Sequence, residues 1–419
     1  MTRIANFLDV DNPLCVDVPE FEYAEWRKLI GRDSRVNWPS PRGTVPESYI
    51  EEIESTILPT KTGVDVARAL NTLLITSLRK RNPLDEQNRK DVMEFSSWRN
   101  KDPGESLRNV PWFPDGAKGT VIRGPTGCRK SHTVEAFCRQ FTQVLQRPPM
   151  ATCGWSSLQQ VVYLRAFMPT DKSRSGLLLE IASQLDRALD TVYARELKGR
   201  MKLEQQIIYV LSLLMLHRVG ILILEEAQEK AIGSEVVGLE FANLFLRIMN
   251  CGIPLVLVGN PLAFDNILTH TQDLRRLTDK GMFELTPAYN HRENEWALDF
   301  VPKIWEWTIF DKPDAWVPSP EVLYRRSGGI HGLLVTYRKE CLIMALRMGA
   351  DSVNKIHCEI AWNSVVMKEW HGITRALTTK DEAGLKLLGQ HPDWPIVWLQ
   401  DQWKRSLLMQ PDLGLPANK

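Results

Sequence analysis

A chain of 419 residues is longer than one typical domain needs, and 43% apolar with 25% charged residues is the makeup of ordinary globular proteins, which excludes a fibrous or extensively disordered chain. The 52 Lys and Arg residues balance 51 Asp and Glu, so net charge points to neither a nucleic-acid nor an acidic partner, and any DNA contact has to be local. Seven scattered Cys without a CxxC pair argue against a disulfide framework or zinc site, and no apolar run suits a leader or a membrane span, so the expected location is the cytoplasm, off the membrane.

From Met1 to Ala117 the pattern is broken by Pro, Trp and charged clusters, including WPSPRGTVP and the linker-like NKDPGES. Residues 1–117 read as an accessory region. One helix is predicted inside it, over Gly63 to Arg81, where Val66, Leu70, Leu73, Leu74 and Leu78 recur at helical spacing.

Five short apolar, β-branched runs follow, each separated by a helix-length segment: GTVIRG near 119, QVVYLRAF near 160, GILILEEA near 220, IPLVLVGN near 253 and MFELTP near 282. Strands alternating with helices predict an α/β fold with a five-stranded parallel sheet over residues 118–290. Such sheets bind ligands beyond the carboxyl ends of their strands. After Pro287 the pattern becomes helical, giving a helical subdomain at 291–383 in which SGGIHG opens a helix through Leu333, Leu334, Tyr337 and Cys341. A Trp-rich tail at 384–419, with Trp394, Trp398 and Trp403, reads as an amphipathic segment that packs or docks.

The first predicted strand runs into GPTGCRKS, and a helix follows. In that setting Gly124, Pro125, Thr126, Gly127, Cys128 and Arg129 form a loop whose backbone N–H groups surround phosphate oxygens. Lys130 reaches the β- and γ-phosphates, the Ser131 hydroxyl meets Mg²⁺, and His132 continues the helix whose N-terminus faces the anion. ATP and Mg²⁺ are the implied cofactors. Arg129 stands where GxxxxGK[ST] has its second glycine.

Beyond the third strand stand Glu225, suited to the metal, and Glu226, suited to activating water. Asp is the usual first acid, so Glu225 is longer by one methylene. The fourth strand ends in Asn260, which from a strand between the phosphate-loop strand and the acid-bearing strand can sense the γ-phosphate; Gly-Asn-Pro also opens ordinary loops. Arg275 and Arg276, ahead of the fifth strand, are candidates for acting on a neighbouring subunit's nucleotide, which implies a homo-oligomer.

Assembled, these residues resemble the AAA+ family that includes the TnsC and TniB transposition regulators. The resemblance is carried by GPTGCRKS, QVVYLRAF with the helix SGLLLEIASQLDRALDT, LILEEAQ, GIPLVLVGN and RRSGGIHGLL, and spans Val121 to Arg338. It implies an AAA+ P-loop NTPase with a C-terminal helical lid, ATP-controlled assembly of a ring or filament, and double-stranded DNA gripped without sequence preference through its backbone; Arg129 and Glu225, which depart from the usual motif, make the expected hydrolysis slow. Lys172 and Arg174 in TDKSRSG are the matching DNA contacts, and the accessory region and tail would meet a target selector and a transposase. Where such lids carry a sensing arginine, Gly332 stands; Arg338, two turns on, reads as a weak substitute for that sensor, and His331 as a cap or packing residue. Two other readings fit the same residues. One is a signalling or defence ATPase switch of the AAA+/STAND kind that does not touch DNA, and the other is a nucleotide-binding scaffold that does not hydrolyse.

Overall fold

The computed structural model describes residues 12–34, 46–97, 116–170, 173–197, 201–227, 235–264, 275–387 and 394–409. The chain forms two compact units, neither contiguous in sequence. The first holds residues 1–30, 61–123 and 130–284; the second holds 31–60, 124–129 and 285–419.

Among the described residues the first unit has seven strands: β1 (Gly119–Arg123), β2 (Val144–Arg147), β3 (Leu158–Val161), β4 (Tyr163–Phe167), β5 (Ile221–Ala227), β6 (Leu255–Gly259) and β7 (Met282–Glu284). Five make one parallel sheet in the order β4-β5-β6-β1-β7, as the alternation of strand and helix patterns predicts. Both faces are covered, which is why β5 and β6 read as continuous apolar runs with hardly an exposed residue. The run QVVYLRAF turns out to be two strands. Its first half, β3, pairs antiparallel with β2, and its second half, β4, joins the sheet beside β5.

The predicted helix is Lys61–Lys80, with Val66, Leu70, Leu73, Leu74 and Leu78 all buried. It packs on β1, β5 and β7, so this part of the N-terminal region is integral to the sheet's cover. Helix Leu203–Leu216 is apolar around its whole circumference and buried from Ile207 to Met215, as a helix inside the layers must be. All seven cysteines are buried, and none is in a disulfide.

The second unit is helical after Leu285. Ser319 caps helix Pro320–Ser327 by accepting from the Val322 N–H, and Asn354 caps Lys355–Trp362 by accepting from Ile356 and His357. Helix His331–Arg347 runs through the core. Fully buried Arg338 on that helix donates to Asp314 (2.6 Å) and to the Trp307 carbonyl (3.0 Å) and lies over the Trp305 ring. That is a structural role, which corrects the reading of Arg338 as a substitute sensor of nucleotide. Trp394 and Trp398 are buried in the same core, so the tail helix Ile396–Met409 packs on its own unit. Among the described residues no helix is long and apolar enough to cross a membrane.

Candidate functional site

The strand order puts β6 between β5 and β1, so the carboxyl ends of the strands bearing the acids, Asn260 and the phosphate loop are neighbours. Asn260 is fixed at the tip of β6 by its N–H donating to the Ala227 carbonyl (3.0 Å). Its Oδ1 accepts from Lys130 Nζ at 3.4 Å, which brings the ammonium to the tip of β6. Lys130 is the first residue of helix Lys130–Cys138; Ser131 after it is exposed, His132 half-buried.

The two acids of β5 are held differently. Glu225 is buried, and its Oε1 accepts from Arg165 Nε of β4 at 2.5 Å. The guanidinium loses hydration, but the bond to Glu225 and the charges of Glu225, Cys138 and Glu135 together outweigh this and raise its pKa. At Glu226 the backbone turns left-handed, φ 58, and the pairing with β6 shifts register between Leu224 and Ala227. This bulge re-aims the following side chain, and Glu226 emerges exposed where Glu225 and Ala227 are buried. Left-handed backbone at a non-glycine residue costs about 1–3 kcal/mol and concentrates at functional positions.

Glu225 also answers whether the residues fit Mg²⁺. Its second oxygen, Oε2, is buried with no hydrogen-bond partner, an acceptor-only atom suited to a cation or its hydration water. Among the described residues no group of three or more His, Cys, Asp or Glu could hold a metal unaided. A cation at Glu225 would therefore depend on ligands from outside the acidic side chains, such as water, to complete its shell.

Within the second unit the phosphate loop shows how Arg129 is tolerated. Gly127 has φ 82 and Arg129 has φ 64, so arginine adopts the left-handed backbone that the motif's glycine would otherwise supply. Its Nη2 donates to the Thr56 carbonyl, and the guanidinium lies 5.5 Å from the Phe300 ring centre. Desolvation lowers the guanidinium to about 10. Gly124, Pro125 and Cys128 are buried, while Thr126 is exposed. The Gly332 N–H donates to the Gly127 carbonyl at 2.9 Å, and a Cβ on Gly332 would stand 3.0 Å from that oxygen. A side chain there would crowd the Gly127 backbone, a contact that the glycine avoids. His331 beside it packs edge-on against Phe300 (4.5 Å) and Trp296 (5.9 Å); burial, then the Arg129 charge, lower it to about 3, so it is a neutral packing residue.

The remaining candidates separate. Arg275 is exposed, whereas Arg276 is half-buried and donates from Nη1 to Asn250 Oδ1 at 2.8 Å. Arg174 opens helix Arg174–Leu189 and pairs with Glu240 at 3.3 Å. Lys172 lies outside the described residues. Sequence reasoning missed two charged partners of the sheet: Arg165, and the pair formed by Arg123 with Glu284 at 2.6 Å. Charged residues inside otherwise apolar strands, as in YLRAF and GTVIR, were the available signal.

Residues 115–268 match the family model described as AAA domain. No curated protein matches the chain in sequence. Among solved structures it is similar to the Aeropyrum pernix ORC2 protein in its ADPNP–ADP complexes, at 15% identity and TM-score 0.39, over 70% of this chain and 74% of that one. It is also similar to Cdc6p from Pyrobaculum aerophilum, at 12% identity and TM-score 0.39 over 66% of each chain. The Thermotoga maritima RuvB Holliday junction branch migration motor aligns at 12% identity and TM-score 0.36, over 78% of this chain and 83% of that one. These likenesses are remote, and the family match with the sheet order carries the assignment. The match and the sheet order β4-β5-β6-β1-β7 give residues 115–268 the α/β fold of an AAA domain.

Proposed function

We propose that this chain is an ATP-dependent regulator of DNA transposition that assembles with copies of itself on double-stranded DNA and links a target-site selector to a transposase. The observation that carries the catalytic half is the β5 bulge, which turns Glu226 outward at the end of the sheet where Asn260 and Lys130 meet. The transposition half is supported by the sequence resemblance alone, in GPTGCRKS, LILEEAQ, GIPLVLVGN and RRSGGIHGLL.

In this reading the loop from Gly124 to Arg129 cradles phosphates through its backbone, and Lys130 leaves Asn260 for the β- and γ-phosphates. Ser131 and Glu225 would hold Mg²⁺, which would neutralise charge on the phosphates. Glu226 orients and deprotonates the attacking water, and Asn260 senses the γ-phosphate. Arg275, the exposed member of its pair, acts on the neighbouring copy's nucleotide. Arg174 and Lys172 contact the DNA backbone, Arg174 exchanging Glu240 for phosphate. Residues 291–383 serve as the lid, and 1–117 with 384–419 meet the selector and the transposase, in the cytoplasm. Hydrolysis is slow because Glu225 is shared with Arg165; a scaffold that binds without hydrolysing is the limit of that trend.

The test is binding to non-specific duplex DNA with and without ATP across a salt series, with electron micrographs of the mixtures. Expected are ATP-dependent rings or filaments, an affinity that falls steeply with salt, and loss of both in Lys130→Ala. Assembly that survives Lys130→Ala refutes the nucleotide assignment, and an ATPase that ignores DNA favours the signalling switch.

A further inference from the structure

In the first unit, a cavity of about 370 Å³ opens at the amino-terminal ends of the strands, away from Glu226 and Asn260. It is lined by the residues leading into β1, β6 and β7 and by one side of helix Lys61–Lys80. Leu73, Ala117 and Pro254 give it an apolar wall. Its charged lining residues are of one sign: Lys80, Arg81, Lys118 and Lys280. Asp279 is bonded to both Lys118 (2.8 Å) and Lys280 (3.5 Å), so one carboxylate serves two ammoniums and the local balance stays positive.

Arg81 adds a second, independent observation. It is fully buried, with Nη2 donating to Ser77 Oγ and to the Val219 carbonyl, each at 2.7 Å, while Nη1 is buried without a hydrogen-bond partner. Desolvation, and Arg218 nearby, lower this guanidinium to about 9. A buried charged donor left unsatisfied is costly, and an anion beside it would relieve that cost. A concave, mostly apolar space of this volume with a few convergent polar groups has the form of a small-ligand site.

We propose that this cavity binds a small organic anion, its phosphate or carboxylate head among the lysines and Arg81 and a flat apolar body against Leu73, Ala117 and Pro254. The occupant would adjoin the segment carrying Arg275 and Arg276, because Gly116 in the cavity wall abuts the Arg276 guanidinium: a Cβ there would stand 2.3 Å from Nη2. The proposal does not depend on how the phosphate loop is used.

Anilinonaphthalene sulfonate, a flat aromatic anion, is the probe. It is titrated by fluorescence into the full chain, with ADP added to cover the phosphate loop and neutral phenylnaphthylamine as the uncharged control. Expected is saturable binding of one probe per chain, at least about tenfold tighter than the control. Lys118→Glu with Lys280→Glu should weaken the sulfonate about tenfold and leave the control unchanged. Thr76→Trp, at an exposed position on the rim, should block both by filling the cavity. Equal binding of charged and neutral probes, or binding that neither variant changes, overturns the proposal. Circular dichroism of each variant checks the fold, and Thr76→Trp alone decides the question if the double variant does not fold.

Discussion

At Arg129 a backbone effect and a side-chain effect act at one position and can be pulled apart. Arg129→Ala removes the hydrogen bond to Thr56, worth about 1.5–3 kcal/mol for a charged donor. It also removes the contact with the Phe300 ring, worth about 1 kcal/mol where the cation is partly desolvated. The left-handed backbone at φ 64 remains, so the expected loss is about 3 kcal/mol. Arg129→Gly loses the same contacts but relieves about 1–2 kcal/mol of left-handed strain, part of it offset by the greater freedom of glycine in the unfolded chain. The glycine variant should therefore be more stable than the alanine variant by about 1 kcal/mol, the reverse of the order in ordinary helix or strand positions. Urea unfolding followed by tryptophan fluorescence reads this directly, with equal denaturant slopes as the check that the unfolded states are comparable. An alanine variant as stable as the glycine variant would refute the left-handed assignment. Wild-type stability in both would show that the Thr56 and Phe300 contacts contribute nothing.

Glu226→Gln should leave nucleotide binding intact and lower single-turnover hydrolysis by about a hundredfold or more; equal turnover places the base elsewhere. Arg275→Ala should abolish the rise in hydrolysis on assembly without changing the dispersed chain, whereas Arg276→Ala should cost about 1 kcal/mol of stability through its bond to Asn250. Steady-state phosphate release and thermal melts of both variants separate the roles, and the opposite pattern would exchange them. The His331 ring has its pKa lowered from 6.5 to about 3 in the folded protein, so between those values the unfolded chain binds the extra proton. Its contribution is complete above pH 6.5 and is lost as pH falls toward 3, at about 1.4 kcal/mol per pH unit. Urea melts of wild type and His331→Phe over that window should converge as the medium becomes acid; parallel curves would show that the ring is protonated in the folded state.

The five sheet strands and the helix Lys61–Lys80 were legible because each depends on local periodicity: an apolar run covered on both faces, or a stripe repeating every three to four residues. The place of β6 between β1 and β5 was legible too, since it is what gives a strand-end asparagine its use. The split of QVVYLRAF into β3 and β4 was not, because both halves are equally apolar and only their partners, β2 and β5, tell them apart. In the candidate site the sequence named the acids but not how they are held. Arg165 pairs with Glu225 across strands sixty positions apart, and the bulge at Glu226 depends on register with β6, so neither leaves a local trace. Arg129 looked like a defect of the motif because its anchors, Thr56 and Phe300, are remote in sequence. The role of Arg338 was misread for the same reason: its partner Asp314 belongs to a loop with no pattern of its own.

The bulge also separates the work of two adjacent carboxylates. In a regular strand Glu225 and Glu226 would face opposite sides of the sheet, and one would be buried against covering helices. The left-handed residue instead ends the alternation, leaving Glu225 under cover with Arg165 and delivering Glu226 to solvent. Glu225 therefore enters the proposed cycle already half-neutralised, one oxygen committed to a guanidinium at 2.5 Å and one buried and open to a cation. A metal drawn to Oε2 competes with the Arg165 charge a few ångströms away, which weakens its hold relative to an unpaired acid. Glu226 stands exposed, where its carboxylate can meet water. In the proposed cycle, weakened metal retention beside a water-facing acid would slow hydrolysis without weakening the cradle for phosphates, a combination that suits a timer on assembly better than a motor.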